Sequence, residues 1–322
     1  MKKFLTLFLT MSLMFILAAC GGDKEEQTKD SDATGDSKTD QVIDVQHELD
    51  DQAVQVPANP EKVVVFDLGA LDTMDELGLG DKIVGLPQAT VPTYLEQYKS
   101  DDYENLGSLK EPDFEKVHAS KPDLIIISTR QAELYDQFKE IAPTIYLAID
   151  DKDYLNSFEA NVETIGKIFK KEEEAKTALK EIEEKITAVQ EETAKTDDKG
   201  LIVLGTEGKV SAYGPGSRFG LIHDVLGVEP ADEQIEDSRH GQSITFEYIL
   251  ETNPDMMFVV DRDTAIGQDS SVKESLENEI VQKTNAFKND KMIYLDGEVW
   301  YLAGGGLESM NIMVDEIAAA FK

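Results

Sequence analysis

Cysteine, histidine and basic side chains are scarce in this chain. Its 322 residues include one cysteine, Cys20, and four histidines at scattered positions. One cysteine cannot form an internal disulfide, and dispersed histidines do not favour direct binding of zinc or manganese. Lysine and arginine total 31 against 65 aspartate and glutamate residues, which gives a formal net charge of −34 at pH 7. Nucleic acid is therefore a disfavoured partner, and an anion-binding pocket must depend on a few local cations.

Signature motifs of several enzyme classes are missing as well. The chain contains no Gly-x-Ser-x-Gly, no His-Glu-x-x-His and no P-loop lysine followed by serine or threonine. The Gly-Pro-Gly turn at 214–216 lacks the third glycine of a dinucleotide-binding loop. We therefore expect a protein that is not an enzyme and that carries no cofactor.

The start of the chain is the only stretch that is apolar enough to suggest a membrane signal. A basic Met1–Lys3 precedes an apolar run, Phe4–Ala19, and Leu17–Gly21 matches the bacterial lipobox. An uncleaved membrane helix is the alternative, but a span needs ~20 apolar residues and this run is somewhat short. We expect residues 1–19 to be a signal peptide and Cys20 to be lipidated, which would anchor the protein on the extracytoplasmic face of the cell membrane.

Composition and periodicity divide the remaining chain. Residues 20–44 are rich in Asp, Lys, Thr, Ser and Gly, so we expect a disordered tether behind the lipidated cysteine. Short apolar strands then alternate with amphipathic helices, which predicts an α/β fold with parallel pairing, and the later half repeats the order of the first. The predicted N-terminal lobe covers residues 45–171 and the C-terminal lobe residues 197–322. One long helix over 172–196 would join them and limit their relative motion.

An internal repeat points to a ligand site. Each copy has Phe-Glu at the start of a helix, then Pro-Asp, an apolar strand and an arginine. The first copy runs from Phe114 to Arg130 and the second from Phe246 to Arg262, with identical spacing. Open α/β sheets bind ligands at the carboxyl ends of their strands, so we expect these two arginines to face each other across a cleft. The repeat therefore predicts a two-lobed binder of an anion.

Four stretches resemble one family of binding proteins: Val63–Gly69, Gly107–Phe114, Tyr213–Gly220 and Trp300–Ser309. Together with the lipobox, the tether and the two lobes, they resemble the petrobactin and catecholate-siderophore branch of the solute-binding lipoproteins of iron–siderophore ABC transporters. The resemblance covers essentially all of residues 42–322. It implies the class III solute-binding fold, which is chelatase-like and has two Rossmann-like lobes joined by one long helix.

The resemblance also implies a function. A monomer of this family would capture a ferric catecholate-type siderophore, petrobactin-like, and deliver it to membrane-embedded ABC permease subunits with a cytoplasmic ATPase. The iron(III)–siderophore complex would be the ligand, not a resident cofactor. Another iron chelate bound in the same fold, such as haem or ferric citrate or hydroxamate, is the alternative.

Three arginines line the cleft in that branch, and the matching positions here are Arg130, Arg218 and Arg262. A ferric tris-catecholate carries up to three negative charges on oxygens that planar guanidinium groups can bridge. Arg218 follows the turn at 214–217 and is expected to begin a helix over 218–226. Surface ion pairing is the alternative for these arginines, and Arg262 does lie between two aspartates in the sequence.

The resemblance suggests possible iron ligands too. Some members of the branch place a histidine and a tyrosine on the iron when the siderophore fills only four coordination positions, and His240 and Tyr301 match those places. Imidazole and phenolate both suit iron, although such side chains are more often core or rim residues. Lys110 and Trp300 are further candidates for the pocket.

Glu115 and Glu247 occupy equivalent places, each at the start of the helix in one copy of the repeat. In the resembling family one such glutamate per lobe docks into arginine pockets on the permease. A carboxylate in a first helical turn is also favourable by itself, by about 0.3–1 kcal/mol. Both interpretations can hold together.

Overall fold

The computed structural model describes residues 41–206, 208–236, 238–269 and 272–322. The predicted signal peptide, the lipidation site Cys20 and nearly all of the predicted tether lie outside the described residues. Within the described ranges, no helix combines the length and the hydropathy that a bilayer span requires. The fold opens with an antiparallel pair of strands, β1 (Val42–Val45) and β2 (Val54–Pro57). The last residues of the predicted tether thus belong to β1, because their backbone groups pair with β2.

The first lobe contains a parallel sheet of five strands within residues 41–206. Its strands are β3 (Val63–Val65), β4 (Ile83–Leu86), β5 (Glu104–Asn105), β6 (Leu124–Ile127) and β7 (Thr144–Tyr146), in the order β5-β4-β3-β6-β7. Its helices are α1 (Leu68–Glu76), α2 (Phe114–Ser120) and α3 (Tyr135–Lys139), with short 3₁₀ segments at Gly80–Lys82, Thr93–Lys99 and Thr129–Leu134. The strand order reverses between β3 and β6, so their carboxyl ends flank a crevice of the kind that binds ligands in such sheets.

The two strands beside this crevice are apolar at every position. All residues of β3 and β6 are buried, as expected for parallel strands whose two faces are both covered. Helix α1 begins directly after β3 because the carboxylate of Asp67 accepts a hydrogen bond from the Ala70 N–H at 2.7 Å. This cap pairs one of the N–H groups that a helix start leaves without a partner. Asp67 is thereby held at the carboxyl edge of the sheet.

Two consecutive helices follow the first sheet: α4 (Tyr154–Phe169) and α5 (Glu172–Thr193). At 1.5 Å per residue, α5 is ~33 Å long. One face of α5 is buried at helical spacing and the other carries exposed Glu and Lys. The buried residues are Ala175, Leu179, Ile182, Ile186, Val189 and Thr193. Helix α5 ends at Thr193, slightly before the predicted limit at 196.

The second lobe contains a mixed sheet. Its strands are β8 (Lys199–Thr206), β9 (Lys209–Tyr213), β10 (Glu229–Pro230), β11 (Gln242–Ile244), β12 (Met256–Asp261) and β13 (Met292–Leu295), in the order β11-β9-β8-β12-β13 with β10 beside β8. Its helices are α6 (Phe246–Thr252), α7 (Arg262–Ala265), α8 (Val272–Leu276), α9 (Asn285–Lys288) and α10 (Leu307–Ala320). A short 3₁₀ segment lies at Val281–Lys283, and π-helical turns lie at Leu221–Val225 and Glu298–Ala303.

The expectation that the second half repeats the parallel order of the first is wrong at one edge. Strands β8, β12 and β13 pair in parallel, but β9 is antiparallel to both β8 and β11. Only residues 207 and 208 separate β8 from β9, and a connection this short cannot make the crossover that parallel strands need. The second sheet is therefore a parallel core with an antiparallel edge.

One apolar core continues from the first lobe into the second. It includes Val63 of β3, Leu71 of α1, Ile186 of α5, Ile202 of β8 and Ile317 of α10, all almost fully buried. Because close-packed interiors do not deform continuously, a shared core restricts hinge motion between the lobes.

A buried polar contact reinforces this connection. Asp72 of α1 is 0% exposed and accepts hydrogen bonds from the N–H groups of Glu308 (2.8 Å) and Ser309 (2.7 Å) in the first turn of α10. The Tyr94 hydroxyl donates to the same carboxylate at 2.9 Å. A Cβ on Gly306 would lie 2.4 Å from Asp72, so this approach requires glycine. Burial raises the pKa of Asp72 to about 6, and the hydrogen bonds oppose this shift only in part.

Candidate ligand-binding site

The two sequence repeats form the same local structure in the two lobes. Helices α2 and α6 each have seven residues and end on left-handed residues, Lys121 (φ 49°) and Asn253 (φ 47°). The strand that follows, β6 or β12, pairs with the first strand of its sheet, β3 or β8. Arg130 and Arg262 therefore lie just beyond equivalent strand ends, as the spacing predicts.

The three arginines singled out by the sequence converge on a single residue, Tyr301. Arg130 Nη2 donates to the Tyr301 carbonyl oxygen at 2.9 Å, and Arg218 Nη2 donates to the same oxygen at 3.0 Å. Arg262 Nε donates to the Tyr301 hydroxyl at 3.1 Å. The guanidinium carbon of Arg218 also lies 4.5 Å from the centre of the Tyr301 ring. Tyr301 thus holds cations from both lobes close together.

Arg218 reaches this point from a tight turn, and the helix predicted to begin at it starts later. The Gly216 N–H donates to the Asp224 carboxylate at 2.6 Å, and the Gly220 N–H donates to the Ser217 carbonyl at 2.7 Å. These bonds and the positive φ of Gly216 (68°) keep residues 216–220 in a turn. The helical segment is π-helical and covers only Leu221–Val225.

Tyr301 owes its position to the π-helical turn at Glu298–Ala303 and to the glycines that follow. The indole N–H of Trp300 donates to Glu316 of α10 at 2.7 Å, which fixes one side of the turn. On the other side, a Cβ on Gly69 would lie 3.0 Å from the backbone of Gly305, so the start of α1 packs directly against this loop. The carbonyl of Tyr301 is left pointing at the arginines.

A cavity of about 160 Å³ lies beside this cluster and has walls from both lobes. Its polar lining includes Asp67, Ser128, Thr129, Arg130, Asp151, Tyr154, Arg218, Arg239 and Tyr301. Arg262 is not part of this wall. Its Nη1 donates to the Thr206 hydroxyl at 3.1 Å, so it approaches Tyr301 from the side of Thr206. A second cavity, of about 570 Å³, adjoins the first and shares five wall residues with it: Thr129, Leu147, Ile149, Asp151 and Asn161.

The charge balance at the cluster is positive in a chain that is strongly acidic as a whole. Arg130 and Arg218 have no carboxylate oxygen within 4 Å among the described residues, and Arg262 has one, from Asp263 at 3.7 Å. Burial lowers the pKa of the Arg130 guanidinium, and the neighbouring charge of Arg218 lowers it further while Asp67 opposes the shift. Burial raises the pKa of Asp67, against its hydrogen bonds and the charge of Arg130. The site is therefore short of negative charge, as an anion-binding site should be.

The phenol of Tyr301 is affected by the same cations. Burial alone would raise its pKa, but the hydrogen bond from Arg262 and the charges of Arg218, Arg262 and Arg130 outweigh burial and lower it. A phenol in this setting is a better acceptor and loses its proton more readily than an ordinary tyrosine.

The other predicted pocket residues lie in varied places. Trp300 is 3% exposed and forms part of the cavity wall. Lys110 is exposed on the loop before α2, and His240 is exposed in a turn; neither lines the two cavities described above. No group of three or more His, Cys, Asp or Glu side chains suited to a metal ion occurs in the described part of the chain. The proposed iron contact of His240 stays a prediction.

Glu115 and Glu247 are exposed in the first turns of α2 and α6. The N-caps of these helices are other residues, Asp113 and Thr245, whose side chains accept from Lys116 N and Tyr248 N. The two glutamate side chains have no hydrogen-bond or ion-pair partner within the ranges that the structure describes. Their carboxylates therefore contribute little to the fold beyond the helix-dipole effect.

Three charged residues of the cavity wall were not identified from the sequence: Asp67, Asp151 and Arg239. Asp67 directly follows β3, so the rule that ligands bind beyond strand ends could have identified it. Arg239 lies in a turn before the short edge strand β11, which has no strong sequence signal. Its proximity to the cavity depends on the antiparallel edge that the sequence did not predict.

Comparison with known proteins agrees with this architecture. Residues 63–299 match the periplasmic binding protein family. The chain is 51% identical over 317 residues to the petrobactin-binding protein YclQ of Bacillus subtilis, covering 98% of each chain. It is 33% identical over 287 residues to the ferric-anguibactin-binding protein FatB of Vibrio anguillarum, covering 87% of this chain and 88% of that protein.

Solved structures show the same relationship. The crystal structure of YclQ superposes with a TM-score of 0.86 at 53% identity, covering 88% of this chain and 99% of that one. The periplasmic catecholate-siderophore binding protein VctP of Vibrio cholerae superposes with a TM-score of 0.81 at 32% identity, covering 87% of this chain and all of the other. The two-lobed α/β architecture described above is thus shared with binding proteins of this kind.

Proposed function

This chain belongs to the periplasmic binding protein family, and on that premise we propose that it captures a ferric catecholate-type siderophore, petrobactin-like, and delivers it to an ABC permease for iron uptake. The observation that carries the proposal is the convergence of Arg130, Arg218 and Arg262 on Tyr301. Relatives whose names state a petrobactin or catecholate-siderophore ligand support the same chemistry.

The chemistry of the cluster suits a chelated iron with catecholate oxygens. A ferric tris-catecholate spreads its negative charge over several oxygens, and guanidinium groups donate to such oxygens through paired N–H groups. Arg130 and Arg218 already share one acceptor, so their orientations are set before ligand arrives. A pre-organised site loses less conformational freedom on binding and gains affinity for that reason.

The larger cavity provides space for the parts of a ligand that do not fit into the small cavity beside the arginines. The two cavities adjoin along five shared wall residues, so a chelate held at the arginines could extend into the larger one. Haem, ferric citrate or a ferric hydroxamate remains the alternative ligand class for the same fold. A hydroxamate complex of iron is uncharged and would gain less from three cations than a catecholate complex would.

The finer parts of the function are proposals that rest on the sequence. We propose that Cys20 carries the lipid anchor, that residues 172–196 link an N-terminal and a C-terminal lobe, and that the protein acts as a monomer without an enzymatic step. Glu115 and Glu247 would dock the two lobes onto permease subunits, which is supported by their equivalent exposed positions. His240 and Tyr301 would complete the coordination of iron only with siderophores that leave positions open.

A titration with a panel of ferric chelates tests the proposal. Trp300 is the only tryptophan and lines the cavity, so quenching of its fluorescence reports ligand arrival in protein that begins at residue 41. We expect saturable quenching by ferric petrobactin or another ferric catecholate, and none by free Zn²⁺ or Mn²⁺. Tight binding of those ions without a response to any ferric catecholate would refute the proposed function.

A further inference from the structure

One cationic residue of the cavity wall has no role in the cluster described above. Arg239 lines the small cavity together with Arg130, Arg218 and Tyr301. Unlike those two arginines and Arg262, it makes neither a hydrogen bond nor a cation–π contact with Tyr301. Its side chain makes no hydrogen bond or ion pair with any described residue, and it is exposed.

The backbone that carries Arg239 is fixed at the edge of the cavity. Strand β11 starts at Gln242, which pairs with Ala212 near the end of β9, so the turn before β11 lies beside the segment that leads to Arg218. The Gly241 N–H donates to the Ser238 carbonyl at 2.9 Å, and Gly241 has a φ of 72°. A Cβ on Gly241 would lie 2.6 Å from the Tyr213 ring, so the turn packs directly on that ring. These contacts fix the backbone at Arg239, while its guanidinium has no hydrogen-bond or ion-pair partner among the described residues.

The charge of Arg239 also acts on the opposite wall. Arg130 and Tyr146 both belong to the first lobe. Burial is the main influence on each of their pKa values, and the charge of Arg239 contributes to both by lowering them. The charge of Arg239 therefore acts on first-lobe side chains that line the two cavities, Arg130 in the small one and Tyr146 in the larger one.

We propose that Arg239 is a fourth anion-binding residue, which attracts negatively charged ferric chelates to the cleft and then contacts their outer side. This inference rests on the proposed function and adds a specificity-determining residue to it. The other three arginines each donate a hydrogen bond to Tyr301 in the free protein, so their orientations are set before a ligand arrives. Arg239 can turn onto ligands of different size because nothing in the described structure holds its side chain.

The overall charge of the protein explains why such a residue is useful. A chain with a formal net charge of −34 repels an anionic chelate at a distance. A cation in the cavity wall that has no ion-pair partner among the described residues offsets this repulsion locally, which raises the association rate and makes it sensitive to salt.

Charge-matched variants of the full-length protein test the inference. Arg239→Gln removes the charge, Arg239→Lys keeps it, and Lys209→Gln removes one charge from an exposed residue at the opposite end of β9, away from both cavities. Ferric tris-catecholate, an anion, and a ferric trihydroxamate, which is uncharged, serve as probes. Stopped-flow association and equilibrium titration are measured at low and high salt.

We expect Arg239→Gln to slow association with ferric tris-catecholate and to weaken its binding about three- to tenfold at low salt, with a smaller effect at high salt. Arg239→Lys should retain most of the affinity, and Lys209→Gln should match the wild type. An Arg239→Gln protein that matches Lys209→Gln would overturn the inference, as would equal weakening of the uncharged probe. Failure of the wild type to bind the tris-catecholate would instead refute the proposed function itself.

Discussion

Replacing Arg218 by glutamine should weaken ligand binding without weakening the fold. In the free protein the Tyr301 carbonyl accepts from both Arg218 and Arg130. Without the Arg218 donor, that oxygen still accepts a hydrogen bond from Arg130 at 2.9 Å, so no buried acceptor is left unsatisfied. The stacking of Arg218 on the Tyr301 ring is lost, but so is the repulsion between the charges of Arg218 and Arg130.

The Arg218→Gln change should affect ligand affinity much more than the free energy of unfolding. A charge-assisted hydrogen bond to an ionised oxygen is typically worth about 1.5–3 kcal/mol, so affinity for a ferric catecholate should fall roughly ten- to hundredfold. Stacking of a cation on an aromatic ring is worth about 0.5–1 kcal/mol at exposed sites. Since relief of repulsion acts in the opposite direction, the free energy of unfolding should change by less than about 1 kcal/mol.

Fluorescence titration and chemical unfolding measure these two effects on the same protein. Arg218→Lys is the matched control, because it keeps the charge but loses the planar paired donors, and it should bind with intermediate affinity. The double change of Arg218→Gln and Arg130→Gln should reduce the binding free energy by less than the sum of the two single changes. Either single change already removes the repulsion between the two charges, so the double change cannot remove it twice. A folded Arg218→Gln protein with wild-type affinity would refute the role assigned to the cluster.

Three further predictions concern other parts of the molecule. Changing Glu115 and Glu247 to alanine together should abolish siderophore-dependent iron uptake in cells and leave the dissociation constant unchanged; normal uptake would contradict the docking role. Asp72 has a folded-state pKa of about 6, above its unfolded value near 3.9, so its contribution to stability is present at low pH and is lost as the pH rises through 6. The difference in the free energy of unfolding between the wild type and Asp72→Asn should therefore shift in favour of the wild type by up to about 3 kcal/mol as the pH falls from above 6 to about 4. Denaturant titrations that show the same difference at both pH values would argue against this prediction. Cys20→Ala should leave ligand binding intact and prevent incorporation of radiolabelled fatty acid, whereas a labelled variant would exclude the lipobox assignment.

The sequence identified those parts of the site that depend on local spacing. Arg130 and Arg262 were predicted to lie at strand ends because the repeat keeps a fixed distance from helix start to arginine, and the structure confirms these positions. The buried face of α5 was predictable for the same reason, since helical periodicity determines which residues turn inward. The role of Arg130 and Arg262 in ligand binding stays a prediction.

Features that depend on backbone detail or on distant pairing could not be predicted. The Tyr301 carbonyl holds two arginines only because a π-helical turn leaves it free, and no residue type signals that geometry. Arg239 lies at the cavity because β11 pairs antiparallel with β9, a contact between segments about thirty residues apart. Lys110 and His240, which the family resemblance suggested, are exposed and line neither cavity, so their contact with a ligand stays a prediction.

A crystal structure of the protein with a bound ferric catecholate tests the central claim most directly. We expect guanidinium nitrogens of Arg130, Arg218 and Arg262 to lie within hydrogen-bond distance of catecholate oxygens, with the iron between the two lobes. A chelate bound elsewhere, with the three arginines still donating only to Tyr301, would contradict the assignment of this site.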